Sequence, residues 1–242
     1  MAIKAIVFDA GGVLRDYYTP INLANWEILK KIGVKISFEK IEKIDNEIER
    51  EYGYQIVKKS RNKLASFFIR HILEKLDKKF DKKYEVIIND TAKNTSKKLR
   101  HYKLKPFPDV LPAIKKLEKN FRIVTLSNVH DLHKHEEFLK NSGLFNHFEF
   151  HENSIALKIR KPDKRIFLHV VRRLKLKPNE VAIIGDTPSI DIFGGKRVGM
   201  LTILINRRKI KYKFKKEFQP DYEIYSLNDL FKIPQIKKQM IL

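Results

Sequence analysis

Ile3-Lys4-Ala5-Ile6-Val7-Phe8-Asp9-Ala10-Gly11-Gly12-Val13-Leu14 is a largely apolar run that ends in an aspartate, small residues and a second apolar pair. Such a run suits a parallel strand buried on both faces that releases the chain into a tight loop. Asp9 then stands where the strand ends, and in open α/β sheets ligands bind beyond the carboxyl ends of the strands. Gly11 and Gly12 let backbone amides approach an anion without side-chain obstruction. Taken alone, the stretch also reads as a strand closed by an Asx turn. Whether later strands end in the same way decides between the two.

After Leu14 the apolar period changes to that of helices and stays so for about eighty residues. Pro20 suits a first helical position, followed by Leu23, Trp26, Ile28, Leu29 and Ile32, with Gly33 as the stop. Ser37 can cap a second helix with Ile41, Ile44, Ile48 and Tyr52 on one face. A third begins near Ser60 and runs to Leu76, and a fourth spans Lys82 to about Tyr102. Lys105-Pro106-Phe107-Pro108-Asp109 breaks the pattern as a return linker.

Strands and helices alternate from there. A helix over Val110 to Glu118 precedes the strand Arg122–Leu126, which ends at Ser127-Asn128. A helix through Leu139 closes at Asn141-Ser142-Gly143, and Phe148-Glu149-Phe150 reads as a short strand. Lys161-Pro162-Asp163 precedes a helix from Ile166 to Leu174. Val181–Ile184 is the next buried strand and delivers Gly185-Asp186-Thr187-Pro188-Ser189-Ile190-Asp191. A helix with Gly194 and Gly195, the strand Leu201–Ile205 and a final segment from Ile224 to Phe231 complete the chain. The alternation implies right-handed βαβ crossovers, a parallel sheet, and Asp9, Ser127 and Asp186 along one sheet edge.

Composition bounds the function. With 242 residues, 43% of them hydrophobic, the chain can bury two cores. No run approaches the roughly 20 apolar residues of a membrane span and no signal-peptide pattern is read, so a soluble, cytoplasmic protein without membrane contact is expected. The absence of cysteine excludes disulfide and thiolate chemistry and leaves oxygen or imidazole for any metal. A net charge of +22 favours anionic substrates, but the basic residues spread along the whole chain as on a heat-adapted surface. Arg207-Arg208-Lys209-Ile210-Lys211-Tyr212-Lys213-Phe214-Lys215-Lys216 is the one dense basic stretch; a charged loop is favoured there over a nucleic-acid contact.

These segments together resemble the haloacid dehalogenase-like (HAD) hydrolase superfamily, from Ile3 to about Phe231. The four family signatures have counterparts in order: Asp9-Ala10-Gly11-Gly12-Val13-Leu14, Leu126-Ser127-Asn128, Lys161-Pro162-Asp163, and Gly185-Asp186 with Asp191, followed by Gly194-Gly195-Lys196 and Gly199-Met200. The resemblance implies a Rossmann-like parallel sheet with helices on both faces, residues 1–15 and 105–242. It also implies an all-helical cap inserted after the first strand, residues 16–104, which selects substrates. By the same resemblance Asp9 is the nucleophile of an aspartyl-phosphate pathway, and Ser127 and Asn128 donate to phosphoryl oxygens. Lys161 offsets negative charge on Asp9 and the intermediate. Mg²⁺ is expected on Asp9, the Gly11 carbonyl and Asp186, with Asp191 orienting Asp186 or a water.

One position departs from the pattern. Family phosphatases carry a second aspartate two residues after the nucleophile as general acid and base, and here that position is Gly11. The expectation is therefore a Mg²⁺-dependent phosphatase on a small phosphorylated metabolite, slow on esters with poor leaving groups. Dehalogenase and phosphonatase chemistries, whose enzymes carry tyrosine or alanine there, are the alternatives, as is a weakly active ligand- or nucleic-acid-binding protein. Asp16, His130, His133 and His135 are the nearest substitutes for the missing acid, and the oligomeric state is not legible.

Overall fold

The computed structural model describes residues 2–16, 18–57, 61–98, 105–129 and 132–240. Ser60, Tyr102 and His130, on which parts of the expectations fall, lie outside the described residues, as does the side chain of Tyr52. The chain divides into two compact units. One comprises Met1–Asp16, Leu104–Lys209 and Phe214–Leu242, the other Tyr17–Lys103 and Ile210–Lys213.

The first unit is built on six parallel strands: β1 (Ala5–Phe8), β2 (Arg122–Ser127), β3 (Phe150–Asn153), β4 (Val181–Gly185), β5 (Leu201–Ile205) and β6 (Tyr222–Ile224). Their spatial order is β3-β2-β1-β4-β5-β6. The order reverses at β1, so the loops after β1 and β4 diverge to opposite faces and leave a crevice between them. In register, Phe8 stands beside Thr125 on one side and Ile184 on the other. Asp9 and Gly185-Asp186 therefore leave adjacent strands at the same level.

Apolar runs form these strands because both sheet faces are covered. Ile6, Phe8, Ala182 and Ile184 join Val110, Ile114, Phe138 and Leu139 in one core. Their odd-numbered neighbours Ala5, Val7, Val181 and Ile183 join Ile166, Phe167, Val170 and Val171 in the other. This is the alternation of a pleated strand, and each such large side chain wholly removed from water contributes about 1.5–3 kcal/mol. The covering helices are α5 (Val110–Leu117) and α6 (Leu132–Asn141), then α7 (Ser154–Leu157), α8 (Lys164–Arg173) and α9 (Phe193–Val198).

The helical unit contains α1 (Tyr18–Lys31), α2 (Phe38–Val57), α3 (Arg61–Glu74) and α4 (Tyr84–Lys98). Its own core gathers Ile28 and Leu29, Ile41, Ile44 and Ile48, Phe68, Ile69 and Ile72, and Ile88. The spacing puts an apolar stripe on α2 and on α3, to which α1 adds Ile28 and Leu29 and α4 adds Ile88. Pro20 falls within the first turn of α1.

The structure corrects the third strand. Phe148-Glu149-Phe150 is only its lead-in, and the strand is Phe150–Asn153, paired to Val124–Ser127. Its second half carries Glu152 and Asn153, which hide the strand from an apolar pattern. Glu152 is buried against Arg173 and His169, and Asn153 caps α7 by accepting from the amides of Ile155 and Ala156. The final segment resolves into β6 and a short 3₁₀ turn, Leu227–Lys232.

Candidate active site

Asp9 leaves β1 with its amide donating to the carbonyl of Ile184 at 2.9 Å, so the backbone stays paired to β4 through the aspartate. The next amide, Ala10, donates to Ser127 Oγ at 3.1 Å. That bond uses a lone pair of Ser127 and leaves its hydroxyl hydrogen to donate elsewhere. Beyond it the chain closes on itself: Leu14 N and Arg15 N both donate to the Ala10 carbonyl, and Gly12 N donates to the Arg15 carbonyl.

Gly12 has φ +72°, and a Cβ built there would lie 2.0 Å from Asp186 Oδ2. Only glycine meets both demands, the left-handed backbone and the close approach of the second carboxylate. Asp186 is thus brought against the loop that carries Asp9. Thr187 Oγ1 donates to Asp186 Oδ1 at 3.2 Å.

Lys161 is 2% exposed and spends its three donors on three oxygens: Asp9 Oδ1 at 2.6 Å, Asp191 Oδ1 at 2.6 Å and the Leu126 carbonyl at 2.8 Å. Burial by itself favours the neutral amine, but the two carboxylates outweigh it and raise the lysine above its usual range. The ammonium is therefore a fixed positive charge. Its backbone is held by Asn128, whose Nδ2 donates to the Lys161 carbonyl and whose Oδ1 accepts the Lys161 amide, each at 2.9 Å. Asn128 thereby acts as a splint for the lysine loop, with one amide hydrogen of Nδ2 beyond that pairing. Asp163 caps α8 by accepting the amide of Arg165 at 2.9 Å.

Asp191 is 2% exposed and lies within a single π-helical turn, Pro188–Ile192. Oδ1 is taken by Lys161 and Oδ2 accepts the Thr187 amide at 3.2 Å. Burial pushes its carboxyl above the usual carboxylate range, with Lys161 pulling the other way. Asp191 thus orients Lys161 and the loop bearing Asp186. A Cβ on Gly185 would meet Asp191 Cβ at 2.1 Å, which explains the glycine before Asp186.

Of the candidate substitute acids, His133 is exposed and Asp16 is partly exposed. His135 is 2% exposed, and neither of its ring nitrogens has a hydrogen-bond partner among the described residues. Burial, reinforced by the Arg15 guanidinium, pushes its imidazole down to about 4. It is neutral near pH 7 and carries no acidic proton there. The roles of Thr187 and of the Leu126 carbonyl were invisible to sequence reasoning, since neither residue type signals such a contact. Among the described residues no three His, Asp or Glu side chains gather as a metal cluster.

A central carboxylate, a buried lysine bridging it to a second acid, and a third acid just beyond the adjacent strand thus gather at the carboxyl edge of a parallel α/β sheet. The sequence matches the haloacid dehalogenase-like hydrolase family over residues 3–199, and the chain belongs to that family. It is 34% identical to a glyceraldehyde 3-phosphate phosphatase of Methanopyrus kandleri over 126 residues, which is 50% of this chain and 53% of that one. The chain therefore matches about half the length of that relative. It is 24% identical to a glyceraldehyde 3-phosphate phosphatase of Methanocaldococcus jannaschii over 242 residues, 98% of each chain. The fold is similar to that of the HAD-hydrolase YfnB from Bacillus subtilis, a structure described as bound to magnesium, with TM-score 0.68, 20% identity, and 96% and 99% of the two chains covered. No helix among the described residues is long and apolar enough to cross a membrane.

Proposed function

We propose that the protein is a Mg²⁺-dependent phosphatase acting on a small phosphorylated metabolite. The observation that carries this reading is the Lys161 bridge between Asp9 and Asp191, with Asp186 set against the same loop. Lys161 holds Asp9 Oδ1, so Oδ2 acts as the nucleophile on phosphorus. The bond from phosphorus to the leaving oxygen breaks and an aspartyl phosphate forms; water then attacks it, releasing inorganic phosphate and regenerating the carboxylate. Ser127 donates its hydroxyl hydrogen to a phosphoryl oxygen, and Lys161 keeps a positive charge beside the acyl phosphate.

The donors available for a cation are all hard oxygens. Asp9 and Asp186 would supply two carboxylates and Gly11 a carbonyl, a set of hard oxygens that suits Mg²⁺, which is commonly held by one or two carboxylates. Bound there, the ion neutralises phosphate charge during transfer. Asp191 takes part through Lys161 and Thr187. Gly11 brings no proton to the leaving group, so turnover is slow unless that group is a good one. The relatives make glyceraldehyde 3-phosphate the first substrate to try, and the helical unit is assigned the part of a substrate-selecting cap.

Hydrolysis of p-nitrophenyl phosphate and of glyceraldehyde 3-phosphate, measured with Mg²⁺ and with EDTA, tests the reading. Mg²⁺-dependent release of phosphate that Asp9→Asn abolishes is expected. Metal-independent hydrolysis of a haloacid would replace it with the dehalogenase reading.

A further inference from the structure

Arg207 opens the basic run that ends at Lys216, yet its side chain is only 15% exposed. Its guanidinium turns into the sheet unit and makes three contacts. Nη2 donates to the Val13 carbonyl at 2.9 Å, Nη1 donates to Asp109 Oδ2 at 3.0 Å, and Cζ lies over the Phe107 ring, 4.1 Å from its centroid. Asp109 is itself fixed, since the same Oδ2 accepts from Ser226 Oγ at 2.6 Å and from the Leu227 amide at 2.8 Å. The planar fork of arginine suits such a double engagement, and the aromatic face beneath restricts its rotamers.

The acceptor is what gives this contact its meaning. The neighbouring carbonyls of the loop are tied by backbone amides: Ala10 by Leu14 and Arg15, Leu14 by Phe107, and Arg15 by Gly12. Val13 is wholly buried, and its carbonyl is held by a side chain 194 positions away. The loop is thereby anchored toward β4 through Asp9 N, toward β2 through Ala10 N, and from beyond β5 through Val13 O. Val13 adjoins Gly12, whose Cα faces the Asp186 carboxylate. Without the Val13 bond, the far end of the loop is held by the Phe107 amide on the Leu14 carbonyl alone, one residue further from Gly12, and the spacing at Gly12 is less closely fixed.

We infer that Arg207 is a positioning residue: its bond to Val13 sets the distance between the nucleophile loop and Asp186. The inference rests on the phosphatase reading for its kinetic consequence and on the geometry for its structural one. Loss of the anchor lowers the rate of the chemical step more than it weakens binding, because small misplacements of reacting groups cost rate steeply.

Arg207→Met keeps bulk over Phe107 and removes the donors. The expected result with p-nitrophenyl phosphate and Mg²⁺ is a kcat about 10- to 100-fold lower, a KM within about threefold of wild type, and partial recovery of kcat on adding millimolar ethylguanidinium. Amide hydrogen exchange at Gly12 and Leu14 should quicken about tenfold or more while Ile183 and Ile184 stay protected. Wild-type kcat with unchanged loop exchange overturns the inference. So does faster exchange that extends through β4 without chemical recovery, which marks general loosening. If the wild-type protein shows no Mg²⁺-dependent turnover, the phosphatase reading fails separately and the exchange measurement alone decides.

Discussion

The ammonium of Lys161 lies 2.6 Å from the Asp9 carboxylate, both groups held at the carboxyl edge of the sheet, and the lysine is all but sealed from solvent. A charge in that position is tolerated only while its counter-charges are present, and the reverse holds for the acids. Lys161→Met strands Asp9 and Asp191 beside an apolar chain. Urea unfolding should show a loss of about 3–5 kcal/mol, the usual cost of breaking a buried pair from one side. Phosphatase rate should fall by about 10²-fold or more with the loss of the fixed charge. A variant as stable as wild type would show that the bridge is not a tight ion pair.

Gly12→Ala probes the approach of Asp186. The added methyl meets Asp186 Oδ2 at 2.0 Å and forces an L-residue to φ +72°. The backbone strain alone costs about 1–2 kcal/mol. The displaced carboxylate should raise the Mg²⁺ concentration for half-maximal rate about tenfold or more, as read from a Mg²⁺ titration of activity. An unaltered titration would remove Asp186 from the cation site.

Gly11→Asp restores a carboxyl group at a position whose backbone is not in the left-handed region. If, as proposed, Gly11 leaves a departing alkoxide without a proton donor, alkyl phosphates should gain about 10²- to 10⁴-fold while acyl phosphates gain little. Equal gains on both substrate types would point to a role other than general acid catalysis.

The neutral His135 sets a pH dependence of stability whose sign can be worked out. Its imidazole is lowered from 6.5 to about 4 in the folded protein. Between those values the unfolded chain binds a proton there and the folded protein does not, so stability falls as pH falls from 6.5 toward 4. The full effect is about 3 kcal/mol, from 1.36 kcal/mol per pH unit. Comparing wild type with His135→Leu by denaturant unfolding across this range isolates it: the variant should lack that share of the acid loss. Parallel curves would contradict a neutral buried imidazole.

Much of the sheet was legible because doubly covered parallel strands leave apolar runs that end abruptly in polar residues, as at Asp9, Ser127 and Asp186. β3 was misjudged because Glu152 and Asn153 are buried polar residues: Glu152 is paired to Arg173, distant in sequence, and Asn153 is turned to capping the amides that begin α7. Lys161 was identified through the family pattern, but its burial was not, since a lysine in a sequence of 51 basic residues carries no mark of its surroundings. Arg207 was hidden for the same reason, placed at the head of a run in which Lys209 and Lys211 face solvent. The part played by Asn128 needed coordinates, since only they show its carboxamide paired to both backbone groups of Lys161.

The strand that carries Asp9 has a neighbour on each side, and those strands in turn are flanked by β3 and β5. Fraying starts at rims and termini, whereas the innermost strand opens only with global unfolding. Heat inactivation should therefore coincide with wholesale melting of the sheet, and partially loosened molecules should keep their chemistry until the last cooperative step.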